Sequence, residues 1–313
     1  MWMFLLRRLL NSLPVMFVVS LVVFGLIYLA PGDPAAIIAG EFATADEVIK
    51  IRAKLGLDEP FFVQFGKWGL RVLSGDLGVS IFSNFPVTTL IGQRIGPTLA
   101  LTAATLVWAL ALALPLGIIA AVRARKLSDR FVMALSVIGF SAPSFVIGYV
   151  LMYVFAVRLG WFPVQGYEPI ANGVPEFLRH IFLPSLTLGL VYMALIARMT
   201  RASLIDVLSQ DFIRTANAKG LSWFSVVLIH ALRNAAVPIV TTVGAGVALL
   251  IGGVVITETV FGIPGLGRLT VDSILRRDYP IIQGVLLLFS LAYVVINLIV
   301  DTVYVMVDPR IRY

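Results

Sequence analysis

Residues 97–122 read PTLALTAATLVWALALALPLGIIAAV, a run without one ionisable side chain. A helix of that length covers the roughly 30 Å of hydrocarbon in a bilayer, and only a helix or a closed barrel satisfies its backbone groups there. Five more apolar stretches flank it, at Leu9–Ala30, Val132–Val157, Ile181–Ala197, Ala235–Phe261 and Ile281–Val307. The expected fold is therefore all-α and polytopic, with six transmembrane helices in one membrane domain over residues 1–313. Arg7 and Arg8 precede the first stretch as they would precede a secretory signal, but its apolar length and the five later spans make it an uncleaved anchor.

Composition agrees. Apolar residues make up 59% of the 313 and charged residues 13%, about half the share of an ordinary soluble domain. The net charge of +7 does not point to nucleic acid, because the Lys and Arg residues are scattered among interhelical loops and form no single stripe. There is no cysteine, and His180 and His230 are the only histidines, so disulfides, thiolate metal sites and His-rich metal clusters are excluded for this chain.

The distribution of basic residues predicts orientation. Arg7, Arg8, Arg123, Arg125, Lys126, Arg130, Arg198, Arg201, Arg214, Lys219, Arg233, Arg310 and Arg312 lie in the termini and alternate short loops; the opposite short loops hold only Arg158, Arg179, Arg268, Arg276 and Arg277, the long 31–96 segment being left out because a long loop crosses regardless of its charge. Thirteen against five places both termini in the cytoplasm. Residues 31–96 then face outward, and a segment of that length should carry small helices of its own. Thr44 and Glu47 have capping-box spacing, Val48, Ile51 and Leu55 form an apolar stripe, and Gly56 can end the helix. Such an insertion either caps the bundle or helps to receive a solute or a delivery protein.

Between spans four and five, residues 198–234 read RMTRASLIDVLSQDFIRTANAKGLSWFSVVLIHALRN. Asp211 is placed to cap a short helix reaching Lys219, Gly220 suits the left-handed position after it, and Ser222 can cap another helix beginning near Trp223. Thr215, Ala216 and Ala218 are small enough to allow close approach to another surface, with Arg214 and Lys219 as charged edges. Periodicity alone also fits an amphipathic linker lying on the bilayer.

Arg214 to Gly220, RTANAKG, resembles the signature cytoplasmic loop of ATP-binding-cassette importer permeases. The general pattern has Glu-Ala-Ala before a spaced Gly, which Arg214-Thr215-Ala216 matches only in part; the branch serving dipeptides, oligopeptides, nickel and glutathione typically reads Arg-Thr-Ala-x-Ala-Lys-Gly, which matches throughout. The similarity extends along the chain through PGDP (31–34), LGLDEP (55–60), GDLGVS (75–80), HALRNAAVP (230–238), DYPIIQG (278–284) and DPRIR (308–312). Asn217, where Arg is frequent, is a departure. FLPSLTLG (182–189) and TRASLIDVLSQDF (200–212) lean toward the glutathione and dipeptide members.

This resemblance implies a permease that forms the path for peptides or peptide-like solutes together with a second homologous permease. It also implies two cytoplasmic ATPases that carry ATP-Mg, an extracytoplasmic solute-binding protein and a place in the bacterial inner membrane. Residues 198–234 would then be the coupling loop, with Asp211, Arg214, Thr215, Ala216, Ala218, Lys219 and Gly220 engaging an ATPase. A nickel-chelate importer of the same branch and an ion-coupled secondary transporter are the alternatives.

The chain itself holds no phosphate loop, since GIPGLG (262–267) lacks the lysine, and neither a G-x-S-x-G elbow nor an H-E-x-x-H pair occurs. Neither catalysis nor a bound cofactor is expected in this subunit. Gly244, Ala248 and Gly252 recur every four residues on span five, as a packing ridge or as a surface toward the pathway or a second permease. Glu258 and Asp301 lie near span ends, where snorkelling or local pairing competes with an ion-coupling role.

Overall fold

A computed structural model describes residues 2–29, 35–36, 44–55 and 58–307. The described residues are helical apart from turns, loops and one isolated bridge between Val79 and Pro86. They form two compact units: Met1–Arg94 with Leu269–Val294, and Ile95–Arg268 with Val295–Tyr313. Among the described residues, five helices are long and apolar enough to cross a bilayer: α1 (Trp2–Leu29), α4 (Val87–Val122), α7 (Val174–Leu208), α11 (Ala236–Val260) and α13 (Tyr279–Val307). Prolines inside α1, α4 and α7 do not break them.

The first unit gathers around α1 and two helices of the segment after it, α2 (Ala45–Leu55) and α3 (Phe61–Leu73). Phe24 of α1 meets Phe61, Phe65 and Trp68 of α3 with ring centroids 5.3–5.6 Å apart, and Phe17 meets Phe65 edge-on at 5.8 Å. Aromatic packing of this kind ties an otherwise exposed span to its short neighbour. Gln283 in the first turns of α13 donates to the backbone oxygens of Val23 and Phe24 at 3.4 and 3.5 Å. Asp278 accepts from the Ser80 hydroxyl at 2.6 Å and the Ile81 amide at 3.3 Å, fastening the 76–81 loop before α13. α2 begins directly after Thr44. The Glu47, Ile51 and Leu55 side chains and Gly56, on which the capping box, the apolar stripe and the helix end depend, lie outside the described residues, as do 31–34 and 308–313.

The second unit is built on α7. Two-thirds of its most apolar stretch is buried, against 11% for α1, so α7 is a core helix and α1 leaves most of its surface for lipid or another subunit. Glycines set the close approaches. A Cβ on Gly189 would strike the Cβ of Trp108 on α4 at 2.8 Å, and one on Gly117 of α4 would strike Thr200 on α7 at 2.6 Å. Gly246 and Gly253 of α11 face Tyr192 and Leu188 of α7 at 3.3–3.4 Å by the same measure. Small residues are what membrane helices use to approach one another without a hydrophobic driving force between them.

The third expected span differs. Residues 132–157 are not one helix: α5 (Leu127–Ser141) and α6 (Ser144–Leu151), the latter continuing as a π-helical turn over Met152–Arg158, meet at an angle of 104°. Pro143 has no amide hydrogen to give and disfavours helical geometry at the residue before it, and Ala142 is accordingly extended at φ −77°, ψ 130°. Straight helices give five spans, and a sixth is reached only where the bent pair counts as one crossing.

Candidate functional site

The loop after α7 folds as helix, turn, helix. α8 (Asp211–Ala218) starts two residues beyond α7, and α9 (Trp223–Ser225) runs through a π-helical turn (Val226–Ala231) and α10 (Leu232–Asn234) into α11. Gly220 has φ +76°, and two hydrogen bonds close the turn around it: Gly220 N–H to the Asn217 oxygen at 3.0 Å and Leu221 N–H to the Ala216 oxygen at 3.4 Å. These are the paired bonds of a Schellman C-cap, the geometry expected of that glycine. Ser222 caps α9, its hydroxyl accepting from the Ser225 amide at 3.3 Å.

Two expectations are corrected here. Asp211 does not cap α8; Gln210 occupies that position with no side-chain bond, and Asp211 sits inside the first turn. There its charge complements the helix dipole, and its carboxylate lies 3.2 Å from the exposed Arg214 guanidinium. Ala216 does not belong to the outward face. With Ile213 it is buried, three residues apart on the side of α8 that packs on the 226–231 turn. The small face therefore divides: Thr215, Ala218, Lys219 and Gly220 are exposed with Asp211 and Arg214, and Ala216 holds the helix to its own chain.

Exposed apolar side chains beside α8 went unread in the sequence. Phe212 is 38% exposed, Leu221 40%, Trp223 58% and Phe224 66%. Apolar residues adjoining a short charged helix were the available signal. Also unread was a pair 72 residues apart: Arg201, on the last turns of α7, forms a two-point ion pair with Asp129 of α5, one contact at 2.8 Å. Asp129 is 3% exposed and also accepts from the Arg125 amide at 2.7 Å.

On α11 the ridge of Gly244, Ala248 and Gly252 separates into two roles. Gly244 is buried against Val300 of α13, where an added Cβ would collide with the valine methyls. Ala248 is half-buried, and Gly252 is exposed with nothing within 4 Å of an added Cβ. Glu258 is fully buried and locally satisfied: Thr98 donates to it at 2.5 Å and the Arg268 amide at 3.0 Å, while the Leu266 amide donates to Thr98 at 2.8 Å. The carboxylate fills the space a side chain would need at Gly265, and at Gly267 the Val255 backbone does so with the carboxylate beside it, so GIPGLG is a turn moulded closely around this part of α11. Asp301 is buried within α13.

Residues 113–313 match the family described as the binding-protein-dependent transport system inner membrane component, and residues 1–102 match the N-terminal component of such systems. The chain belongs to this family. The permease is similar along its whole length to curated relatives. It is 50% identical over all 313 residues, and the whole of that protein, to the "Probable peptide ABC transporter permease protein y4tP" of Sinorhizobium fredii. It is 46% identical to the "Glutathione transport system permease protein GsiC" of Escherichia coli, with 99% of each chain covered. Among solved structures, a chain of the MetNI methionine ABC transporter in an inward-facing conformation superposes with a TM-score of 0.59 at 19% identity, covering 70% of the permease and 96% of that chain. That likeness shows a common fold. The permease is thus an all-α, multi-pass transport subunit.

Proposed function

We propose that this permease forms, with a second homologous permease, the path of an ATP-driven importer for peptides or peptide-like solutes in the bacterial inner membrane. Two cytoplasmic ATPases would bind ATP-Mg and an extracytoplasmic binding protein would deliver the solute. Full-length similarity to a peptide permease carries this reading, and similarity to glutathione permeases makes glutathione-like solutes the second choice. Residues 198–234 are assigned to the coupling loop on the likeness of RTANAKG (214–220) to the importer signature loop, and both termini to the cytoplasm and residues 31–96 to the outside on the basic-residue asymmetry alone. The chain has no cysteine, so a single cysteine at Tyr313 tests this assignment; its labelling in intact cells by an impermeant reagent would overturn it.

In this reading, Asp211, Arg214, Thr215, Ala218 and Lys219 meet an ATPase, Gly220 aims the helix, and Ala216 anchors it. The anchored side explains how force would travel. Ile213 and Ala216 rest on the 226–231 turn, which runs on through α10 into α11, and α11 packs on α7 through Gly246 and Gly253. A displacement of α8 would therefore pull on both core helices, rocking the spans between outward-open and inward-open arrangements. Gly252, exposed on α11, is assigned to the surface toward the pathway or the second permease; Gly244 and Ala248 support it. Peptides that bind the cognate binding protein should stimulate ATP hydrolysis by the reconstituted complex. A binding protein that captures sugars and ignores peptides would overturn the solute assignment.

A further inference from the structure

The short connection between α4 and α5 concentrates positive charge where the chain cannot leave the membrane surface. The apolar span of α4 ends at Val122, and the apolar helix α5 begins at Leu127. Four residues between two such helices confine Arg123, Arg125 and Lys126 to the headgroup layer. With Arg130 in the first turn of α5, they line a concavity of about 690 Å³ that also includes Leu127 and Ser128. All four cations are exposed, and none takes part in a salt bridge among the described residues.

The acid closest in sequence, Asp129, is turned inward and forms its salt bridge with Arg201 and with none of the four. Asp129 also shapes the loop: the Arg125 amide donates to its carboxylate while Arg125 holds φ +68°, a left-handed conformation uncommon for any residue but glycine. Leu127 and Phe131, four apart on one face of α5, are 82% and 69% exposed immediately beside the cations. Cations at the level of the headgroups with bare apolar side chains next to them match the two halves of a phospholipid.

We propose that residues 123–131 bind the phosphate of an anionic phospholipid, with Leu127 and Phe131 against its acyl chains. The apolar pair distinguishes this occupant from a soluble anion or an acidic protein surface, neither of which would cover it. The inference uses only the membrane-spanning character of the chain, and stands or falls apart from the solute and from the ATPase contacts.

Lys126 reports on the site. The assembled transporter is placed in nanodiscs of phosphatidylcholine, alone or mixed with phosphatidylglycerol, and acylation of Lys126 by a water-soluble amine reagent is followed by peptide mass spectrometry, with Lys67 as internal reference. Phosphatidylglycerol should protect Lys126 relative to Lys67. The R123Q/R125Q/R130Q variant keeps the reporter and the Asp129–Arg201 pair but removes three interfacial charges, which together weaken anionic-lipid binding about 100-fold, so its protection should vanish at equal lipid composition. Three results would overturn the proposal: equal protection in phosphatidylcholine alone, which would mean a protein covers the loop; undiminished protection in the triple variant; or full protection by millimolar inorganic phosphate in phosphatidylcholine, which would mean a free-anion site.

Discussion

Replacing Gly220 isolates the geometry of the proposed coupling loop from its chemistry. At φ +76°, any residue with a Cβ is strained by roughly 1–2 kcal/mol, with a β-branched side chain at the upper end and asparagine near the lower. No atom lies within 4 Å of an added Cβ, so the cost is conformational and not a clash. If that strain opens the turn and its Leu221–Ala216 bond, the population of correctly aimed α8 falls by a factor of about 5–30. Gly220→Val should accordingly lower solute-stimulated ATPase activity and uptake together in proteoliposomes. Gly220→Asn should retain most of both, and subunit abundance should stay near wild type because no span is altered. Wild-type coupling in Gly220→Val, or an equal defect in the valine and asparagine variants, would refute the argument that a left-handed residue aims this helix.

Three further outcomes follow from burial. Ala216→Trp overfills the contact of α8 with the 226–231 turn at a cost of about 1–3 kcal/mol, so the loop should become protease-sensitive even without ATPases; Ala218→Trp, on the exposed side, should leave the isolated permease unchanged and weaken only ATPase binding. Asp129→Asn strips the half-buried Arg201 of its counter-charge and should cost about 1–3 kcal/mol, read as a lower melting temperature of the purified complex, with Asp129→Asn/Arg201→Met recovering part of the loss. Gly244→Ala should destabilise by about 1–3 kcal/mol through collision with Val300, whereas Gly252→Ala should be neutral or slightly stabilising in the isolated subunit, as thermal unfolding in detergent would show.

Hydropathy located the helices α1, α4, α7, α11 and α13 but not their ends. α7 runs over Val174–Leu208 although its apolar stretch spans 181–197, because a helix continues past the hydrocarbon as long as its backbone bonds do. The break at Ala142–Pro143 was written in the sequence by the proline, yet the surrounding apolar run reads continuously by composition. Gly220 and Ser222 were legible because turn and cap chemistry is local. The inward orientation of Ala216 was not, since in an eight-residue helix small residues on both faces leave the buried side undetermined until Ile213 finds its partner. Asp129 and Arg201 could not be paired by any local rule; 72 residues separate them, and only the packing of α5 on α7 brings them together.

The proposed function of this permease is ATP-driven carriage of peptides. It is tested most directly by uptake of a labelled peptide into proteoliposomes containing the permease, its partner permease, the ATPases and the binding protein. Uptake should require ATP and the binding protein and should persist when ion gradients are collapsed. Uptake that continues without ATP and stops when the ion gradient is collapsed would contradict the account.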